Sequence, residues 1–242
     1  MAKRKVLILQ HADWERAGRV GENLEDVGLE TETLTVASIK KPQLPEPGEL
    51  AGLVLMGGPM RADDYERFPG LKAETKLAKA AVEAELPVLG ICLGHQILAR
   101  ALGGELVVGK KEQRELSQVK WVESDDAVSS WVQKETSVLQ WHADCVTLPP
   151  GAKLLAKSAQ SKVEAFRKGS ALGLQFHVEV TAPIFEQWLD EPQVVDGLKK
   201  GQIAQLFEDF QSADPLMQPL ADSIFSAFAA RCSTYSAQPI ES

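Results

Sequence analysis

Cysteine is scarce in this 242-residue chain, with only Cys92, Cys145 and Cys232, odd in number and widely spaced. No Cys-x-x-Cys pair and no zinc-ligand spacing links them. That excludes a disulfide framework and a structural metal site, and it predicts a reducing compartment, the cytoplasm. Histidine is nearly as rare, at four residues, so chemistry that needs an imidazole base has few candidates. No apolar run approaches the ~18 residues of a membrane span, and no signal-peptide core is visible, so no membrane association is expected. Excess positive charge is also missing. Lys and Arg number 26 against 34 Asp and Glu, for a net charge of −8, which argues against nucleic acid as a partner. The basic group Lys3-Arg4-Lys5 is short and reads as a solvated start. What is present is ordinary globular material, 44% hydrophobic and 25% charged. A chain of this length buries about 70–75% of its unfolded surface.

Short apolar runs alternate with helical periodicity through the first hundred residues. Strands are expected at 5–10, 31–36, 53–56 and 88–91, and helices at 13–27, with Asp13 as N-cap, and at 71–86. That rhythm predicts a doubly wound, parallel α/β sheet, which binds ligands at its strands' C-terminal ends. From residue 105 strands dominate: 105–108, 117–122, 138–141, 153–156, 163–167 and 171–177. They predict antiparallel additions, making the sheet mixed but largely parallel and flanked by helices. After Thr181 the pattern is helical, at 182–189, 194–210 and 216–231, with a polar tail expected to fray. We therefore expect a main domain over 1–190 and a C-terminal helical extension over 191–242. Trp121, Trp131, Trp141 and Trp188 read as core or rim aromatics.

One stretch carries chemistry. Gly90-Ile91-Cys92-Leu93-Gly94-His95-Gln96 directly follows the apolar run Leu86-Pro87-Val88-Leu89. Gly-x-Cys-x-Gly between a strand and a helix fits a nucleophile elbow, a turn so tight that flanking Cβ atoms clash. The helix N-terminus beneath the thiol is electropositive and is expected to lower its pKa. The competing reading is a buried cysteine beside a turn. His177 is the best base, because Glu179 lies two residues on in a strand-like run and shares its face. It can accept a ring hydrogen and fix the tautomer, the nucleophile–base–orienter pattern. The alternative is a surface His beside a surface Glu. Gly57-Gly58-Pro59 ends the strand at 53–56. It is either an ordinary turn or a source of bare N–H groups for an oxyanion, with Leu93 N–H as the second donor. His142 and Asp144 read either as substrate wall or as a second acid–base couple. His95 points away from the thiol. His11 is expected in an exposed loop, and Asp63-Asp64 with Glu66 as solvated acids.

Together these segments resemble the class I, or triad, glutamine amidotransferases, and most closely their free-standing GMP-synthase-like branch. The matching pieces are Met56-Gly57-Gly58-Pro59, the elbow, Gln140-Trp141-His142-Ala143-Asp144, Leu148-Pro149-Pro150-Gly151-Ala152 and Gln175-Phe176-His177-Val178-Glu179, over residues 5–190. The resemblance implies a flavodoxin-like fold and hydrolysis of the side-chain amide of L-glutamine. It makes Cys92 the nucleophile, His177 the base and then acid, and Glu179 the orienting carboxylate. Gly58 and Leu93 become oxyanion donors, and Gly57, Gln96 and His142 substrate-binding residues. No cofactor and no metal are implied. A γ-glutamyl compound is the alternative donor, and a synthase or ligase subunit is the implied partner, since no ATP-binding glycine loop is visible here. The chain departs from that branch at Ala143, at Glu115-Leu116-Ser117-Gln118 and at Glu164, where substrate and acceptor would be read. A related elbow-cysteine peptidase would carry His where Leu93 stands. A non-catalytic scaffold would not need Cys92, His177 and Glu179 together.

Overall fold

A computed structural model describes residues 4–109, 112–122 and 136–238. Lys3, Trp131 and the last tail residues lie outside them. The core is a nine-stranded sheet. Its first strands are β1 (Lys5–Leu9), β2 (Thr31–Leu34), β3 (Leu50–Leu55) and β4 (Val88–Ile91). Beyond them run β5 (Leu106–Val107), β6 (Gln113–Trp121), β7 (Thr136–His142), β8 (Cys145–Val146), β9 (Lys153–Lys157), β10 (Ala165–Lys168) and β11 (Ala171–Leu174). The order is β2-β1-β3-β4-β11-β10-β9-β6-β7, with β5 and β8 as a separate pair. The five strands β2 to β11 run parallel, and the rest are antiparallel. β3, β4 and β11 are buried at every position, as expected of strands covered on both faces. The mixed, largely parallel α/β sheet inferred from the sequence is thus the fold.

Among the described residues, helices α1 (Arg19–Asp26), α2 (Leu71–Glu83), α3 (Leu93–Ala101), α4 (Ala182–Asp190) and α5 (Lys200–Ser236) accompany the sheet. Two of them differ from expectation. α1 begins at Arg19, not Asp13. Residues 10–18 form a loop across the sheet's end, and Gly18, at φ 48°, opens the helix. The loop turns His11 and Glu15 inward, and both are buried, which a helix starting at Asp13 would not do. The two expected C-terminal helices are one, of 37 residues, with Pro215 and Pro219 inside it. Each internal proline costs about 3 kcal/mol. Met217, Leu220, Ile224, Phe225, Phe228 and Cys232 repeat at helical spacing and are all buried. At about 1.5–3 kcal/mol per large apolar side chain, that stripe outweighs both prolines. No helix among the described residues is long and apolar enough to cross a membrane.

The order of the sheet brings four chain segments together. β1, β3, β4 and β11 are neighbours and parallel. Their C-terminal ends lead to His11, Gly57, Cys92 and His177. The antiparallel wing then curls back, and His177 N–H donates to the Leu139 carbonyl at 2.9 Å. This carries the end of β7, with Trp141 and His142, over the elbow.

Arg19 ties these layers together. It is buried, and its guanidinium donates to the carbonyls of Val178 and Val180 and pairs with Asp214 of α5 at 2.7 Å. Arg19→Met leaves those carbonyls and Asp214 without their donor. We expect a loss of about 2–3 kcal/mol, at the low end for a broken buried pair because Asp214 reaches some solvent. The measurement is the urea midpoint, which should fall at unchanged slope; an unmoved midpoint would remove Arg19 from this account.

Candidate functional site

Cys92 has φ 51° and ψ −104°, a strained conformation for a residue with a side chain. It is imposed by the passage from β4 straight into α3. Gly90 and Gly94 make the passage possible. A Cβ on Gly90 would meet the Gly94 carbonyl oxygen at 2.5 Å, and one on Gly94 would overlap the Leu55 carbonyl. The elbow inferred from the glycine spacing is therefore present in the backbone. Cys92 is 5% exposed, and its thiol donates to the Trp141 carbonyl at 3.6 Å. It sits on the floor of a cavity of about 370 Å³, lined also by Gly58, Leu93, Gln96, Trp141, His142 and Asp144.

His177 and Glu179 stand beside it. His177 Nδ1 lies 2.6 Å from Glu179 Oε1, and both side chains are fully enclosed. Glu179 Oε2 accepts the Val178 N–H at 3.0 Å, so the carboxylate is held from two sides. Trp188, from α4, packs edge to face with the imidazole at a centroid distance of 4.9 Å. Nε2 of His177 is buried without a hydrogen-bond partner and is the ring atom left to interact with Cys92. Burial alone would make the imidazole a weaker base, but Glu179 and the Cys92 sulfur raise its pKa well above the usual value. Burial also pushes the Cys92 thiol up, against the pull of His177. The expected lowering by the helix N-terminus is thus outweighed by desolvation.

The remaining expected residues fall in different places. Gly58 and Leu93 line the cavity. Leu93 is the first residue of α3, where helix N–H groups have no intrahelical acceptor. Gly57 does not line the cavity; its carbonyl points back to His11 Nδ1 at 3.1 Å. Gln96 lines it, but its amide donates to the Asp144 carbonyl at 3.0 Å and to Gln175 Oε1 at 3.3 Å, so it also ties the helix to the wall. His142 has both nitrogens engaged, with the Asp144 carbonyl at 3.1 Å and Gln140 Oε1 at 2.9 Å. Burial lowers its pKa to about 4; a neutral imidazole has one N–H, so it donates to the Asp144 carbonyl and its other nitrogen is matched once the Gln140 amide turns its otherwise unpartnered NH₂ toward it. His95 is buried against Phe166 and lowered to about 3, again by burial.

Two inward residues were not read from the sequence. His11, expected in an exposed loop, is buried and bonded to Glu74 of α2 at 2.7 Å. Glu15 lines the cavity, and its Oε2 is buried without a partner. Burial and the Glu179 charge raise its pKa to about 7, against His177 and His11. Their partners lie far away in sequence; the only local hint was that both precede Gly18. Glu15, His177 and Glu179 each offer a ligand atom within 4.8 Å of one another, the one such group among the described residues.

Access and proton transfer should together select one thiol. Cys232 lies on the buried face of α5, its thiol pushed up to about 12 by burial; Cys145 is partly exposed, with its thiol also pushed up by burial, while Cys92 faces the cavity beside His177. Iodoacetamide at neutral pH is expected to label Cys92 first. His177→Ala should slow that labelling on the order of 10²-fold, the usual contribution of a positioned base. Faster labelling of Cys145 would contradict this.

Fold and site first define a class: a parallel α/β protein with an elbow cysteine at one strand end and a His–carboxylate pair at the next. The family model for Glutamine amidotransferase class-I matches residues 18–189, and the chain belongs to that family. It is 35% identical over 169 residues to a glutamine-hydrolyzing GMP synthase subunit of Archaeoglobus fulgidus, covering 66% of this chain and 81% of that one. It is 38% identical over 133 residues to the glutamine-hydrolyzing GMP synthase of Pyrobaculum aerophilum, covering 54% of this chain but 25% of that longer protein. Among solved structures, a glutamine amidotransferase from Thermotoga maritima superposes with a TM-score of 0.84 at 30% identity, covering 95% of this chain and 99% of that one.

Proposed function

We propose that this chain hydrolyses the side-chain amide of L-glutamine through a γ-glutamyl thioester on Cys92 and supplies ammonia to an acceptor site on another polypeptide. The observation that carries this is the unpartnered, buried Nε2 of His177 beside the Cys92 thiol, with Nδ1 held by Glu179. His177 accepts the thiol proton as sulfur attacks the amide carbon. The N–H groups of Gly58 and Leu93 receive the developing oxyanion. The imidazolium returns its proton to the leaving nitrogen, and ammonia departs. A water, deprotonated by the same nitrogen, then cleaves the thioester to glutamate. The cavity rim carries both signs of charge, Arg61 within 3.8 Å of Asp144, which suits a zwitterionic amino-acid end. Residues 1–190 hold this chemistry, and 191–242 brace it through Asp214 and the buried face of α5. Relatives named as one subunit of a GMP synthase support a separate synthetase polypeptide as the partner.

The test is ammonia release from L-glutamine by the purified chain, with Cys92→Ala as control. Turnover lost in the control supports the proposal. Cleavage of a γ-glutamyl dipeptide with no action on glutamine would replace it with a γ-glutamyl hydrolase.

A further inference from the structure

The second buried histidine–carboxylate pair has no role in the steps above. His11 follows β1, and Glu74 lies in the first turn of α2. Their side chains are fully enclosed and 2.7 Å apart. The other ring nitrogen of His11 lies 3.1 Å from the Gly57 carbonyl oxygen. A carbonyl and a carboxylate both only accept hydrogen bonds. The imidazole between them must donate from both nitrogens, or Glu74 must carry the proton. Either way, one proton more than a neutral imidazole holds is shared between His11 and Glu74. Burial works against the charge on His11, but Glu74, the Gly57 carbonyl and the more distant Glu15 together hold its pKa above the ordinary value.

The consequence lies one bond further on. In a planar trans peptide the C=O and N–H point in opposite directions. With the Gly57 oxygen fixed toward His11, the Gly58 N–H is turned away from it. Gly58 lines the cavity beside Cys92 and Leu93. A Cβ on Gly58 would meet His11 Cβ at 2.6 Å and Leu93 Cδ2 at 2.8 Å, so this peptide is packed between the histidine and the elbow. Gly57 and Gly58 lack the Cβ atoms that restrict backbone rotation, so the peptide between them relies on outside contacts to fix it.

We propose that His11 and Glu74 are a positioning pair that locks the Gly57–Gly58 peptide with its N–H aimed into the cavity as an oxyanion donor. This rests on the glutamine-hydrolysis reading of that cavity. The pair acts through the peptide and never touches substrate.

The test compares His11→Asn with His11→Leu and Glu74→Gln. An Asn amide N–H falls near the position of Nδ1 and can still donate to Gly57; Leu cannot. His11→Leu should lose kcat for L-glutamine on the order of 10- to 100-fold at near-constant KM, less than deletion of an oxyanion donor itself. His11→Asn should recover most of that loss. Alkylation of Cys92 by iodoacetamide builds no oxyanion and should proceed at the wild-type rate in both. Equal losses in the Asn and Leu variants, or alkylation that falls with kcat, would reduce His11 to a packing residue and overturn the proposal. A second readout needs no substrate. Nitrogen-15 NMR of the wild-type His11 ring should show Nδ1 protonated at neutral pH, whether the second proton sits on Nε2 or on Glu74. A bare Nδ1 in the wild type would overturn the lock. If wild-type protein fails to hydrolyse glutamine, the functional reading falls by itself, and the ring protonation still decides whether the peptide is held.

Discussion

Cys92→Ala removes glutamine turnover, and adding His177→Ala to it costs almost nothing more. That is the expected result if the two side chains work as one unit. Each single variant should lose on the order of 10⁴-fold or more, because a thiol without a base and a base without a thiol fail at the same step. Glu179→Gln should leave a measurable remainder. It keeps the shape that holds Nδ1 but loses the charge that strengthens Nε2 as a base. Near-normal turnover in His177→Ala would mean that another imidazole does the work. His142 lines the same cavity, but its ring is engaged and its pKa is about 4, so we expect no such rescue. Steady-state ammonia release for the two single variants and the double variant decides the matter.

Glu15→Gln is expected to stabilise the protein in alkaline solution and hardly at all in acid. The pKa of Glu15 is raised from 4.5 to about 7, first by burial and then by the charge of Glu179. Across that window the unfolded chain releases the proton while the folded chain keeps it. Stability therefore falls as pH rises from about 4.5 to 7, and the full cost is present above 7. The gap corresponds to about 3 kcal/mol. Glutamine carries no proton to lose, so the variant should gain about that much at pH 8 and little at pH 4. Urea unfolding at the two pH values reads the difference. A gain of the same size at both would show that charge is not its cause.

What was legible in the sequence was what local covalent geometry enforces. Gly90 and Gly94 are dictated by carbonyls within a few ångströms of them, and the alternation of His177 and Glu179 is a property of extended chain. The burial of β3, β4 and β11 followed from continuous apolar runs. What escaped notice depends on contacts between distant segments. His11 meets Glu74 across 63 positions, and nothing near His11 announces that partner. α1 starts late because residues 10–18 must turn two polar side chains into the site. α5 runs through Pro215 and Pro219 because tertiary burial overrides a local penalty. The thiol shows the same division: its place at a helix terminus can be read from the sequence, while the burial that pushes its pKa up cannot.

The central claim is that Cys92 forms a covalent bond to the acyl carbon of glutamine. The most direct measurement is intact-mass analysis after incubation with L-glutamine under rapid acid quench, and with 6-diazo-5-oxo-L-norleucine as a trapping analogue, followed by peptide mapping. We expect one adduct per chain on Cys92 with the analogue, a quench-trapped γ-glutamyl species on the same residue with glutamine, and neither in Cys92→Ala. An unmodified Cys92 with both reagents, or an adduct mapped to Cys145 or Cys232, would contradict the account.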